Sequence, residues 1–189
     1  PRTFSSAASD VYKRQGVLQR ADSKNQNGRV YPKDILMREA KKYSDTFIKE
    51  KRALGELDHP DSSVVNLQNV SHNVTGMKWD GDDLVGTVEV LTTPSGNILK
   101  ELFKAGIKLG ISSRGLGSVE TIKFEGTEAN KVGDDFELIA FDFVSNPSTQ
   151  GAFLHPVNES IDKSRRQLGE SCDKWCKVEY TLRDIIGGK

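Results

Sequence analysis

Apolar residues recur along this chain in two rhythms, and each change of rhythm marks an element. Ile35, Leu36, Ala40 and Tyr43 follow helical spacing. They stand behind Tyr31-Pro32-Lys33-Asp34, where proline takes a first-turn position whose N–H has no intrahelical hydrogen bond to lose. The pattern predicts a helix running to about residue 50. Ile98, Leu99, Leu102 and Phe103 repeat the spacing and predict a second helix over 97–104, opened at Thr93-Pro94 and ended by Gly106.

Elsewhere the rhythm is short and alternating. Residues 64–70, 74–79, 84–91, 107–113, 119–124 and 136–144 read as strands, with Asp80-Gly81-Asp82-Asp83 as a hairpin turn. Residues 16–20 read as the remnant of a strand, Asn25-Gln26-Asn27-Gly28 as a turn, and Gly115-Leu116-Gly117 as a flexible turn after the 107–113 strand. Pro60 disfavours helix at His59, so that segment is extended or looped. Many short strands with two helices predict a mainly β fold with flanking helices (α+β), arranged as a small barrel.

The two ends read differently. Residues 1–15 have no period, and the run from Ser5 to Gln15 resembles translated sequencing-adapter sequence. They are expected to be a non-native or disordered lead-in. Residues 16–157 form one domain. Residues 158–189 turn polar and read as a helical tail (161–168 and 172–186).

Composition narrows the function. With 189 residues, 35% of them hydrophobic, the chain can build one real core but not two full domains. Lys and Arg balance Asp and Glu at 27 each, which argues against nucleic acid as the main partner. No run of about 18 apolar residues exists to span a membrane, and no secretory signal is visible. Cys172 and Cys176 would share a helix face, but no second pair or nearby histidine completes a metal site. No disulfide framework is expected, and the cytoplasm is the default compartment.

Three positions carry candidate chemistry. His59, in Gly55-Glu56-Leu57-Asp58-His59-Pro60, sits between poor core residues, so its imidazole is expected to emerge from a loop as a base. The alternative is a hydrogen-bonded structural histidine. His72 reads as the exposed face of a strand and His155 as a loop residue. Ser112 and Ser113 end an otherwise apolar strand, with Ser113 on the face of Leu109 and Ile111, and Ser112 on the face of Gly110. Either the strand simply runs out into solvent, or a serine is a nucleophile beside a base. In the second reading Gly110 allows close approach of a substrate or a neighbouring chain. Gly115 and Gly117 then turn amides toward an oxyanion. Arg114 either adds positive charge there or pairs with a surface carboxylate. Asp142, between Phe141 and Phe143, is either an edge acid facing water or a buried carboxylate that needs a charged partner. A metal site on Asp58, His59 and Asp61 lacks further ligands.

Four blocks resemble, in the same order, those of the prohead core protein proteases of T-even-type tailed phages. They are Asn25 to Pro32, Ala53 to Pro60, Gly110 to Ser118, and the segment from Asp142 to Pro147-Ser148. That family is similar in fold to the herpesvirus assembly proteases, a serine-protease β-barrel with surrounding helices. The resemblance implies a serine endopeptidase with Ser112 as nucleophile, His59 as base and Asp142 as third member. Ser113, Arg114 and Gly115 would support the oxyanion, and no cofactor or metal is needed. It implies phage scaffold, core and major capsid proteins as substrates inside the prohead in the host cytoplasm, cut after glutamate, with a homo-oligomer allowed. Leu168-Gly169-Glu170-Ser171 offers such a context in the chain itself, so self-cleavage between Glu170 and Ser171 is expected. The alternative is a non-catalytic interior head protein with the same barrel.

Overall fold

The computed structural model describes residues 12–157. The expected helical tail, the Glu170–Ser171 bond and the cysteine pair lie outside the described residues, as do residues 1–11. Ten strands and two α-helices follow in the order β1 (Tyr12–Arg20), β2 (Arg29–Val30), α1 (Lys33–Tyr43), β3 (Leu54–Glu56), β4 (Val70–Asp80), β5 (Asp83–Val90), α2 (Pro94–Lys104), β6 (Gly110–Leu116), β7 (Val119–Phe124), β8 (Thr127–Val132), β9 (Glu137–Val144) and β10 (His155–Pro156).

The strands form three ladders: β10-β1-β5-β4-β3, β2-β8-β7 and the pair β6-β9. Single bridges, Leu57 to Phe143 and Gly110 to Phe153, join the pair to its neighbours. The fold is therefore mainly β with few helices, and among the described residues no one closed ladder runs round it.

Both helices form where the spacing placed them. Ile35, Leu36, Ala40 and Tyr43 are the buried face of α1, which continues as a π-helical turn over Ser44–Ile48. In α2 the Thr93 hydroxyl accepts the Gly96 amide at 3.0 Å, and Gly106, at φ +77°, lets the chain leave. The helices grip one strand. Tyr43 meets Phe141 edge-on at 5.6 Å, and Phe103 meets Phe143 edge-on at 5.5 Å. Fixing these alternate rings of β9 in the core turns Asp142 to the opposite face of the strand.

The structure corrects several expectations. Tyr12 to Gln15 are not a disordered lead-in, because they pair with β5 from Tyr12 opposite Val90 to Gln15 opposite Thr87. The strand pairs on both sides, Arg14 and Gln15 also lying opposite Pro156 and His155 of β10, and such main-chain pairing makes little demand on side-chain identity. Residues 64–69 are a loop, and the strand begins only at Val70. Val64 and Leu67 are 70% and 73% exposed. Asn66 and Ser62 satisfy the backbone locally, with Asn66 Oδ1 accepting the Gln68 amide and Ser62 Oγ accepting that of Val64. The serine strand starts at Gly110 rather than residue 107. Gly115 does not begin a turn but pairs with Leu138. A Cβ there or at Gly117 would strike Phe136, so both glycines make room for that residue.

His72 is wholly buried rather than exposed. Its Nε2–H donates to the Phe141 carbonyl at 2.9 Å, which leaves Nδ1 to accept from the Ser71 hydroxyl, also at 2.9 Å. Burial pushes its pKa down to about 4, against the opposing pull of the Asp142 charge and the Phe141 carbonyl. The unfolded chain thus takes up a proton near pH 6.5 that the folded chain refuses until about pH 4. Stability is complete above pH 6.5 and falls as pH drops through that window. Urea unfolding at pH 5 should show about 2 kcal/mol less stability from this group than at pH 7, and His72→Gln should remove that slope.

Candidate active site

Strand register brings the candidate residues together. Ser112 lies directly opposite Asp142 in the β6-β9 pair, so the two side chains share a face. Arg114, two residues on, falls on the same face. On the other edge of β9, Leu57 bridges Phe143 and the Asp58 amide donates to the Phe143 carbonyl at 2.9 Å. Asp58 then adopts φ +72°, a left-handed conformation that aspartate tolerates better than most residues. Its carboxylate accepts the His59 amide at 2.9 Å. This turn carries His59 back over Asp142, and His59 Nδ1 lies 3.0 Å from Asp142 Oδ2. The imidazole is partly open to solvent while Asp142 is fully buried.

A buried ion cluster lies beneath the imidazole. Arg114 Nη2 donates to Glu56 Oε1 at 2.9 Å and to Asp142 Oδ1 at 3.2 Å, and Nη1 donates to the Ser62 carbonyl at 2.7 Å. Its Nε stands 2.9 Å from Asp142 Oδ2, close enough for ionic attraction although its N–H is not aimed for a hydrogen bond. Asp142 Oδ1 also accepts the Glu56 amide at 3.0 Å, and Glu56 Oε1 accepts the Asn66 amide at 3.0 Å. One guanidinium thus faces two carboxylates, all three buried. A proton gained by His59 would balance the remaining negative charge. Glu56 Oε2 has no partner among the described residues.

Ser112 is 7% exposed, and its hydroxyl lies 3.1 Å from Ser148 Oγ. Among the described residues it has no hydrogen bond to His59. Ser113 points to the other face, as the alternation requires, where its hydroxyl accepts from Gln19 Nε2 at 2.8 Å. Gln19 Oε1 in turn accepts from the Thr149 hydroxyl. A polar bridge therefore ties β1, β6 and the 146–149 loop together under the site. His59, Ser112 and Ser113 line a pocket of about 140 Å³ with Arg29, Asn146 and Ser148. All four sequence blocks contribute to its wall. A larger cavity of about 340 Å³, between Phe103, Leu109 and Phe153, holds none of these candidates.

Arg114 does not line the pocket. It is neither an oxyanion donor on a turn nor a partner of a surface acid, because Glu56 and Asp142 draw its guanidinium into the interior. Gly115 likewise serves packing against Phe136. Gly110 admits a neighbouring stretch of chain rather than a substrate: a Cβ there would strike the Pro147 ring, and Gly110 also bridges Phe153. Sequence reasoning missed Glu56, Ser148, Gln19 and Arg29. Three of them lie inside the quoted blocks, so block membership was a signal that hydrophobic spacing could not supply.

Comparison with known proteins agrees in direction. Residues 6–162 match the model of a family described as prohead core protein serine protease. The chain is 35% identical over 162 residues to the prohead core protein protease of Enterobacteria phage T4, covering 84% of this chain and 74% of that relative. It is also similar to the solved structure of the bacteriophage T4 capsid assembly protease, with TM-score 0.64 and 34% identity over 69% of this chain and 79% of the other.

Proposed function

The chain belongs to the prohead core protein serine protease family, and on that premise we propose that it is a serine endopeptidase acting on phage scaffold, core and capsid proteins inside the prohead. The observation that carries the reading is the convergence of Ser112, His59 and Asp142. A hydroxyl and an imidazole line one small pocket, and the imidazole is held by a buried carboxylate at 3.0 Å.

In this reading Ser112 turns from Ser148 toward His59 and attacks the scissile carbonyl. His59 Nε2 takes the hydroxyl proton and returns it to the leaving amine, while Nδ1–H donates to Asp142 and fixes the tautomer. Water then repeats the sequence on the acyl-enzyme. The oxyanion needs a donor beside Ser112, and the Ser113 amide is well placed. Ile111 donates its amide away from β9, to the Ala152 carbonyl at 2.9 Å. By alternation the Ser113 amide leaves the same edge of β6, beside the pocket. One such donor contributes on the order of 3 kcal/mol to the transition state. The isolated bridges at Leu57 and Gly110 support closure of the sheets into a barrel around this site.

Cleavage after glutamate is the specificity we assign, with the chain's own Glu170–Ser171 bond as one substrate. The test is incubation of the purified chain with glutamyl peptides, read by mass spectrometry. Hydrolysis after glutamate that a serine-directed reagent stops and a chelator does not is the expected result. A folded protein that cuts nothing, or one stopped only by the chelator, would overturn the proposal. The same incubation should yield a chain ending at Glu170.

A further inference from the structure

Among the described residues, the wall of the Ser112 pocket carries basic side chains and no carboxylate. Arg29 and His59 supply them, beside the polar side chains of Gln26, Asn27 and Asn146. Arg29 also differs from most other arginines of the described residues. Arg20, Arg38, Arg52 and Arg114 each hold a carboxylate, whereas Arg29 is exposed and has no ion partner among the described residues. Arg14, for which no carboxylate partner stands among the described residues, lines the other cavity and lies within the adapter-like run.

The backbone that presents Arg29 is fixed. Asn25 Oδ1 accepts the Arg29 amide at 2.9 Å and the Asn27 amide at 3.0 Å, and the Asn25 amide donates to the Arg29 carbonyl at 2.9 Å. Gly28, at φ +72°, makes the turn. Arg29 then enters β2 and pairs with Asn130 of β8. The Gln26 amide donates to the Ser148 carbonyl at 2.9 Å, which ties this loop to the residue that holds the Ser112 hydroxyl. An anchored main chain with an unpartnered guanidinium is pre-organised to form a two-pronged bond to an incoming carboxylate. A cavity of ~150 Å³ admits a benzene-sized group, so about 140 Å³ suits one extended side chain.

We propose that Arg29 is the specificity-determining residue, binding the carboxylate of an acidic substrate side chain at the residue whose carbonyl Ser112 attacks. The inference rests on the reading of Ser112 as nucleophile and deepens it. A site built to pair a charged group rejects a neutral analogue strongly, because the unpaired group must then be desolvated without compensation.

The experiment compares kcat/KM on peptides identical except for Glu, Gln or Lys at that residue. Arg29→Gln should lower the Glu-to-Gln preference about 100-fold, almost wholly through the Glu peptide. Arg29→Glu should shift the preference toward Lys. An unchanged Glu-to-Gln ratio overturns the assignment, as does an equal loss on all three peptides. Binding to the Ser112→Ala protein reads the same contact without catalysis. There the Glu peptide should bind more tightly than the Gln peptide only when Arg29 is present. Failure of the wild type to cut any peptide would count against the protease reading, while the binding comparison still decides the role of Arg29.

Discussion

Replacing Ser112 by alanine should lower peptide hydrolysis on the order of 10⁵- to 10⁶-fold, whereas Ser113→Ala should keep activity within about tenfold of the wild type. The two hydroxyls sit on opposite faces of β6. Both residues line the pocket with His59, but the Ser113 hydroxyl is taken up by Gln19 Nε2 on the opposite face of the strand. Loss of the Ser113 hydroxyl removes one neutral hydrogen bond, about 1 kcal/mol of stability, and leaves its main-chain amide in place. Because nucleophile and base act as one unit, the double variant Ser112→Ala/His59→Ala should be no slower than either single variant. The opposite outcome, with Ser113→Ala inactive and Ser112→Ala active, would transfer the nucleophile to the other face of β6 and undo the site as described.

The parts legible in the sequence were those with local causes. Ile35, Leu36, Ala40 and Tyr43 announce α1 by spacing alone, and the structure buries all four. The run Phe141-Asp142-Phe143 announces a buried acid in need of a partner, since a carboxylate between two core rings is otherwise costly. What could not be read was set by contacts distant in sequence. Glu56 is fully buried only because Arg114, 58 residues away, reaches it. His72 is buried because its ring packs 4.6 Å from Phe143 and bonds the neighbouring Phe141 carbonyl. Gly115 read as part of a flexible turn and is a packing glycine, a distinction that depends on where Phe136 lies. Val64 to Leu67 misled in the other direction. Their apolar side chains suggested a strand, but Ser62 and Asn66 gave the backbone local partners and left the loop exposed.

Arg114→Met should destabilise the fold by about 3–5 kcal/mol and remove activity, a far larger loss than Glu56→Gln should cause. The guanidinium is the one cation among the buried groups of the cluster, and it serves Glu56, Asp142 and the Ser62 carbonyl at once. Without it two carboxylates face each other with only His59, partly solvated, to offset them. Glu56→Gln leaves the opposite situation, one guanidinium against one carboxylate, and an amide can still accept from Arg114 and from the Asn66 amide. Combining the changes should therefore recover part of the lost stability, because Arg114→Met/Glu56→Gln removes one of the two uncompensated charges. Arg114→Lys should rescue poorly, since a single ammonium cannot reproduce a planar fork that spans three acceptors. Urea unfolding of the four variants at pH 7 tests the ordering. Equal stability of Arg114→Met and Glu56→Gln would mean that charge balance does not hold Asp142 in place, and the 3.0 Å contact with His59 would then need another support.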